Sequence, residues 1–176
     1  MSALTSAVAA VVTDANGRVL LCQQSQGHRL WCLPGGRVRV SESPVRAVVR
    51  DVLEEIGAAI EIDDLVGLYH LTGDGCGDGL PDLLVHVFRG HVDRADLTVN
   101  APSRIRRLAW HDPTCLPLPM TATARTALQD ALAGRSGVLR QVERDAGLEV
   151  PEAGDAEPVI PPQPPVLDPV ALTGRS

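Results

Sequence analysis

The sequence predicts a mixed α/β sandwich. Three observations carry that expectation: short β-rich runs recur up to Trp110, two segments have helical start and stop signals, and the composition can build one core. With 176 residues, 44% hydrophobic and 22% charged, the chain is long enough for one domain and a tail.

The elements follow in order. Ala7–Val12 and Arg18–Gln24 read as strands around Asp14–Gly17, where Asn16-Gly17 supplies the positive φ values of a hairpin turn. Ser25 to Gly36 reads as a connection ending in the strong punctuation Leu33-Pro34-Gly35-Gly36. A helix is expected from Pro44 to Ile56. Ser43 suits its N-cap, Pro44 its first position and Gly57 its C-terminal cap. Ala59–Leu71, Asp82–Val92 and Arg104–Trp110 read as strands, with a glycine-rich loop, Gly73–Gly79, between the first two. Thr121–Gly134 reads as a second helix with a glycine stop. The domain is expected to cover residues 1–136, and residues 137–149 to add a short C-terminal helix. Residues 150–176, rich in proline and acids, form a flexible tail on this reading.

A formal net charge of −6 argues against a nucleic-acid polymer as partner, because phosphate backbones bind basic surfaces. A small phosphorylated ligand needs only a local patch. Cys22, Cys32, Cys76 and Cys115 show no CxxC spacing, which speaks against zinc. The N-terminal apolar run has no basic stretch before it and soon meets Asp14 and Asn16, so it reads as a strand rather than a signal peptide. No apolar run approaches a membrane span, and a cytoplasmic location with reduced thiols is expected. Pro161-Pro162-Gln163-Pro164-Pro165 could adopt the polyproline form and dock a partner or a second copy, giving a homodimer. A solvated tail is the plainer reading.

The first helix carries the chemistry. With Asp51 set at zero on the helical wheel, Glu54 falls at about −60° and Glu55 at about +40°. Val45, Val48, Val49, Val52, Leu53 and Ile56 fill the arc from about 60° to about 200°. Like charges three and four residues apart repel, and acids in a helix's C-terminal half oppose the macrodipole. A divalent cation removes both penalties, and clustered oxygen ligands suit Mg²⁺ or Mn²⁺. A solvated acidic face is the alternative.

Gly36, then Glu42, then Arg50-Asp51-Val52-Leu53-Glu54-Glu55-Ile56-Gly57-Ala58 resembles the box of the Nudix hydrolases, G-x5-E-x7-R-E-U-x-E-E-x-G-U with U bulky and apolar. Trp31-Cys32-Leu33-Pro34-Gly35-Gly36 is similar to the family's lead-in, and Trp110-His111-Asp112-Pro113 fits as well. The resemblance spans roughly residues 5–134. It implies a Nudix-type α/β/α sandwich with a mixed sheet and a loop–helix–loop catalytic motif. It also implies metal-dependent hydrolysis of a nucleoside diphosphate linked to another moiety. By position, Glu54 and Glu55 would bind the metal, Asp51 would serve as ligand or in activating water, and Gly36 would offer its backbone carbonyl. Glu42 and Arg50 would pair and brace the motif. Arg37 and Arg39 are candidates for substrate phosphate contacts, or else solvated loop charges, and the same choice holds for His28 and Arg29.

The chain departs from the pattern in places. Asp51 is one methylene shorter than the family's glutamate, and Ala58 is small where the box has bulk. Many relatives carry a further glutamate before the last central strand, where this chain has Arg104-Ile105-Arg106-Arg107. Asp74, Asp78 and Asp82 are possible substitutes or simply loop residues. These departures motivate an alternative reading, a nucleotide-binding regulatory domain of the same build with weakened or no catalysis. The four aromatics, Trp31, Tyr69, Phe88 and Trp110, read as core rather than stacking platforms.

Overall fold

Alternation along the first strand sets the architecture. In β1 (Thr5–Thr13), Ala7, Ala9 and Val11 enter one apolar cluster while Val8, Ala10 and Val12 enter another. A period of two therefore places a core on each face of one sheet. In β2 (Val19–Gln24), Val19 and Leu21 face the first cluster, and Leu20 and Cys22 the second. The computed structural model describes residues 4–73, 80–93 and 96–145.

β1 runs parallel to β6 (Leu83–His91) over nine residue pairs, Thr5↔Leu83 to Thr13↔His91. Its other edge meets β2 through the hairpin and β4 (Gly35–Arg37) antiparallel. β5 (Glu61–Thr72) is antiparallel to β6, and β8 (Val138–Glu143) lies parallel to β5 at the end of the sheet. β3 (Trp31–Cys32) and β7 (Ile105–His111) both pair with β2. Helix α1 (Pro44–Ile56) closes the second cluster with Val48, Val52 and Ile56, and α2 (Ala122–Leu132) closes the first with Ala124, Ala127 and Leu128. The result is the α/β/α sandwich that the sequence predicts.

Helix α1 has the expected bounds because its caps are chemically complete. The Ser43 side chain accepts from Arg46 N–H at 3.3 Å, and Gly57, at φ 72°, donates its N–H to Leu53 O at 3.0 Å. Trp31, Tyr69 and Phe88 are buried in the core, as expected. Two expectations need correction. The connection from Ser25 to Gly36 contains the short strands β3 and β4. Residues 138–143, within the segment expected to form a short helix, are strand β8. The exposed edge of β5 offers that segment a ladder of backbone partners, and only Val142 of its side chains is buried.

A charge network around the buried Asp130 holds this end of the molecule. Asp130 of α2 accepts from Tyr69 Oη at 3.0 Å, from Arg135 Nη1 at 2.7 Å and from Arg140 Nη2 at 2.7 Å. No helix among the described residues is long and apolar enough to cross a membrane. Asp74, Asp78 and the proline-rich tail lie outside the described residues.

Candidate active site

The floor of the site is β4, and glycine is required there. Gly35 has φ 153°, and a Cβ on it would stand 2.1 Å from Val8 O of the paired strand. A Cβ on Gly36 would stand 3.0 Å from Asp51 Oδ2. Helix α1 therefore packs on bare backbone, and the carboxylates reach the strand.

The buried face of α1 is rotated towards the acids. Ala47, Asp51, Glu55, Val48, Val52 and Ile56 are buried, an arc from about −40° to about 140° on the same wheel. The expected apolar arc is only partly covered, and Leu53 at its far edge is 48% exposed. Asp51 and Glu55, each 2% exposed, lie one turn apart inside the buried arc, while Glu54 stands at the rim.

Each buried carboxylate is handled differently. Glu55 Oε2 accepts Gly35 N–H at 2.9 Å, and its Oε1 meets Arg104 Nη2 at 3.3 Å. Asp51 pairs with Arg50 through Oδ1, whereas its Oδ2 is buried without a hydrogen-bond partner. Burial pushes the Asp51 carboxyl above the ordinary range, outweighing the pull of Arg50 and Arg104.

Arg50 is the hub. Its Nε and Nη2 grip Glu42 Oε1 and Oε2, both at 2.8 Å, and Nη2 also donates to Arg37 O at 3.2 Å. Arg39 N–H closes the loop onto Glu42 Oε2 at 3.0 Å. The fork on Arg50, with the Arg39 N–H, holds the Glu42 carboxyl down to about 2. The geometry thus contains the Glu42–Arg50 pair that the resemblance implies.

The convergence expected of Asp51, Glu54 and Glu55 takes another form. Among the described residues no three acidic, histidine or cysteine side chains gather closely enough to enclose an ion. Guanidiniums interleave instead, because like charges so close together need counter-charge: Arg50 at Asp51, Arg39 at Glu54 (3.3 Å) and Arg104 at Glu55. The residues nonetheless fit a divalent ion. The donors are hard oxygens, Asp51 Oδ2 has no partner, and Gly36 has no side chain to block it.

Beside Gly35, Gly36 and Arg37 opens a pocket of about 180 Å³. Its walls are mostly apolar and include Leu33, Leu83 and Val85, with Thr123 of α2 and Arg144 beyond β8. Thr123 Oγ1 is buried without a hydrogen-bond partner. Arg37 lines this pocket, Arg39 is engaged by Glu54, and His28 and Arg29 are exposed. Asp82 faces His70 at 3.6 Å.

Three participants escaped the sequence. Arg104 precedes β7 in a turn, and only the fold brings it to Glu55. Arg107 lies 4.8 Å over the Trp31 ring, so the basic run is divided between the site and the core. Thr123 carries no local signal beyond its place two residues after the α2 N-cap.

Comparison with known proteins shows the family and the fold. A model of the NUDIX domain matches residues 3–131. A MutT-like protein of Streptomyces ambofaciens is 32% identical over 131 residues, 72% of this chain and 76% of that protein. The CTP pyrophosphohydrolase of Escherichia coli is 28% identical over 109 residues, 60% of this chain and 75% of that protein. The crystal structure of a MutT NUDIX hydrolase from Burkholderia pseudomallei superposes with a TM-score of 0.66 at 28% identity, covering 73% of this chain and 98% of that one. With the box, the sandwich and the family match in agreement, the chain belongs to the Nudix hydrolases, enzymes of the phosphoric anhydride bond.

Proposed function

We propose that the chain hydrolyses a diphosphate bond in a nucleoside diphosphate linked to another moiety. Asp51, Glu54, Glu55 and the Gly36 carbonyl would hold Mg²⁺ or Mn²⁺. The observation that carries this reading is Asp51 Oδ2, a buried carboxylate oxygen without a donor, set against a residue that has no side chain. Such an atom is costly unless a cation meets it. When bound, the ion would neutralise phosphoryl oxygens and lower the pKa of a coordinated water.

The chain's own residues do the positioning. Arg50, midway along α1, holds the helix to Glu42 before its start and to the Arg37 carbonyl at the end of β4, which fixes Asp51 relative to Gly36. Gly35 N–H orients Glu55 from below. Arg37 and Arg39, at the same end, would meet an incoming diphosphate, and their charge would offset its repulsion of the acids. The adjoining pocket, smaller than the ~300 Å³ of a common ligand site, suits one ring system rather than a whole nucleotide. Thr123 lines that pocket, and its buried hydroxyl has no hydrogen-bond partner. The names of the relatives, MutT-like protein and CTP pyrophosphohydrolase, support a nucleotide substrate.

The test is a panel of nucleoside triphosphates, nucleotide sugars and dinucleotides, incubated with and without Mg²⁺ or Mn²⁺, with products identified. Turnover of at least one member, only with metal and at the diphosphate bridge, is expected. No turnover of any, with Glu54→Gln and Glu55→Gln indistinguishable from wild type, would refute the assignment.

A further inference from the structure

We propose that Arg104 is a built-in counter-cation of the acid cluster, standing at Glu55 where a second divalent ion would otherwise be held, so that the site takes one ion tightly. This rests on the reading of the cluster as a metal site. Four carboxylates, on Glu42, Asp51, Glu54 and Glu55, meet three guanidiniums, on Arg39, Arg50 and Arg104. The three cations are not equivalent. Arg50 is fixed by Glu42 and by the Arg37 carbonyl, so it belongs to the scaffold. Arg39 and Glu54 are both largely in solvent, where water screens their attraction.

Arg104 is different because of its partner. The Glu55 side chain is 3% exposed and that of Arg104 26%, so their contact at 3.3 Å is poorly screened. The remaining oxygen of Glu55 is occupied by Gly35 N–H. An ion that used Glu55 would therefore have to displace Arg104 or tolerate its charge. The Asp51 oxygen offers an ion a second point of attachment, because Oδ2 is buried and has no donor of its own. One ion shared by Asp51 and Glu55, with Arg104 balancing the remaining charge at Glu55, satisfies both buried carboxylates. Two ions would crowd the guanidinium that faces Glu55.

The experiment counts and weighs Mn²⁺ on the full-length protein without substrate, by calorimetry and by the paramagnetic resonance signal of free Mn²⁺. Wild type is expected to take one ion. Arg104→Gln is expected to bind Mn²⁺ about tenfold more tightly or to take a second ion, since a nearby positive charge has gone. Arg104→Lys, which keeps the charge, is expected to follow wild type. Should Arg104→Gln fail to fold, the double variant Arg104→Gln with Glu55→Gln removes the orphaned carboxylate. Compared with Glu55→Gln alone, it is expected to gain no affinity, because the Arg104 effect acts through Glu55. Equal affinity and stoichiometry in wild type and Arg104→Gln overturn the proposal, as does a gain that persists in the Glu55→Gln background. Either result leaves the hydrolase reading standing. No Mn²⁺ bound by any variant, together with an inactive panel, removes both.

Discussion

Asp51 carries an electrostatic cost that, on the proposed reading, serves the chemistry. Its side chain is buried, one oxygen lacks a donor, and burial raises its pKa. Asparagine keeps the shape and removes the charge. Asp51→Asn is therefore expected to melt at or above the wild-type temperature while turnover falls about a hundredfold. Thermal melting and kcat measured side by side check it, and a large loss of Tm would make Asp51 a structural residue instead. At this scale the acid trio was legible from its spacing on one helix, and the Glu42–Arg50 pair from the resemblance to the family's box, both of them local in the chain. Arg104 was not, because its partner lies 49 positions earlier in the chain. Residue order says nothing about which guanidinium fills a gap between two distant elements.

Among the elements, α1 was legible to its last residue, since Ser43, Pro44 and Gly57 are chemical statements about where a helix starts and stops. What the helical wheel missed was the rotation of its buried face. Apolarity placed that face near the valines, but the contact with β4 draws Asp51 and Glu55 under cover as well. Helix α2 depends on Asp130, which ties it to Tyr69 of β5 and Arg140 of β8. Arg140 first, then Arg135 and the Tyr69 hydroxyl, depress the Asp130 pKa. An unfolded aspartate titrates at about 3.9. The ionised group thus stabilises the fold above that value, and the contribution is lost as pH falls towards the lower folded pKa. Wild type is expected to lose melting temperature below about pH 4 more steeply than Asp130→Asn. At neutral pH the variant is expected to cost about 1.5–3 kcal/mol for its charge-assisted hydrogen bonds. Denaturant titration across pH checks both.

At the scale of the whole molecule, β8 extends the sheet beyond the segment matched by the family model. Its sequence hides it, because one buried side chain in six leaves no alternation to read. Its backbone pairs with β5 all the same, and Arg144 just after it donates to the carbonyls of Gly73 and Pro81, beside the pocket. Deleting residues 146–176 is expected to leave turnover and Tm unchanged. Deleting from residue 137 onward uncovers the edge of β5 and is expected to lower Tm and promote aggregation. Equal behaviour of the two truncations would show that β8 contributes nothing to the fold.

The account as a whole stands on Glu55 and its neighbours acting on a diphosphate through a bound cation. Its most direct test is turnover of the best panel substrate with Mn²⁺ or with chelator, for wild type and for Glu55→Gln, with Tm recorded for both. Expected are loss of activity with chelator and a fall of about a hundredfold or more in Glu55→Gln at near-native Tm. Undiminished turnover in either case would contradict it.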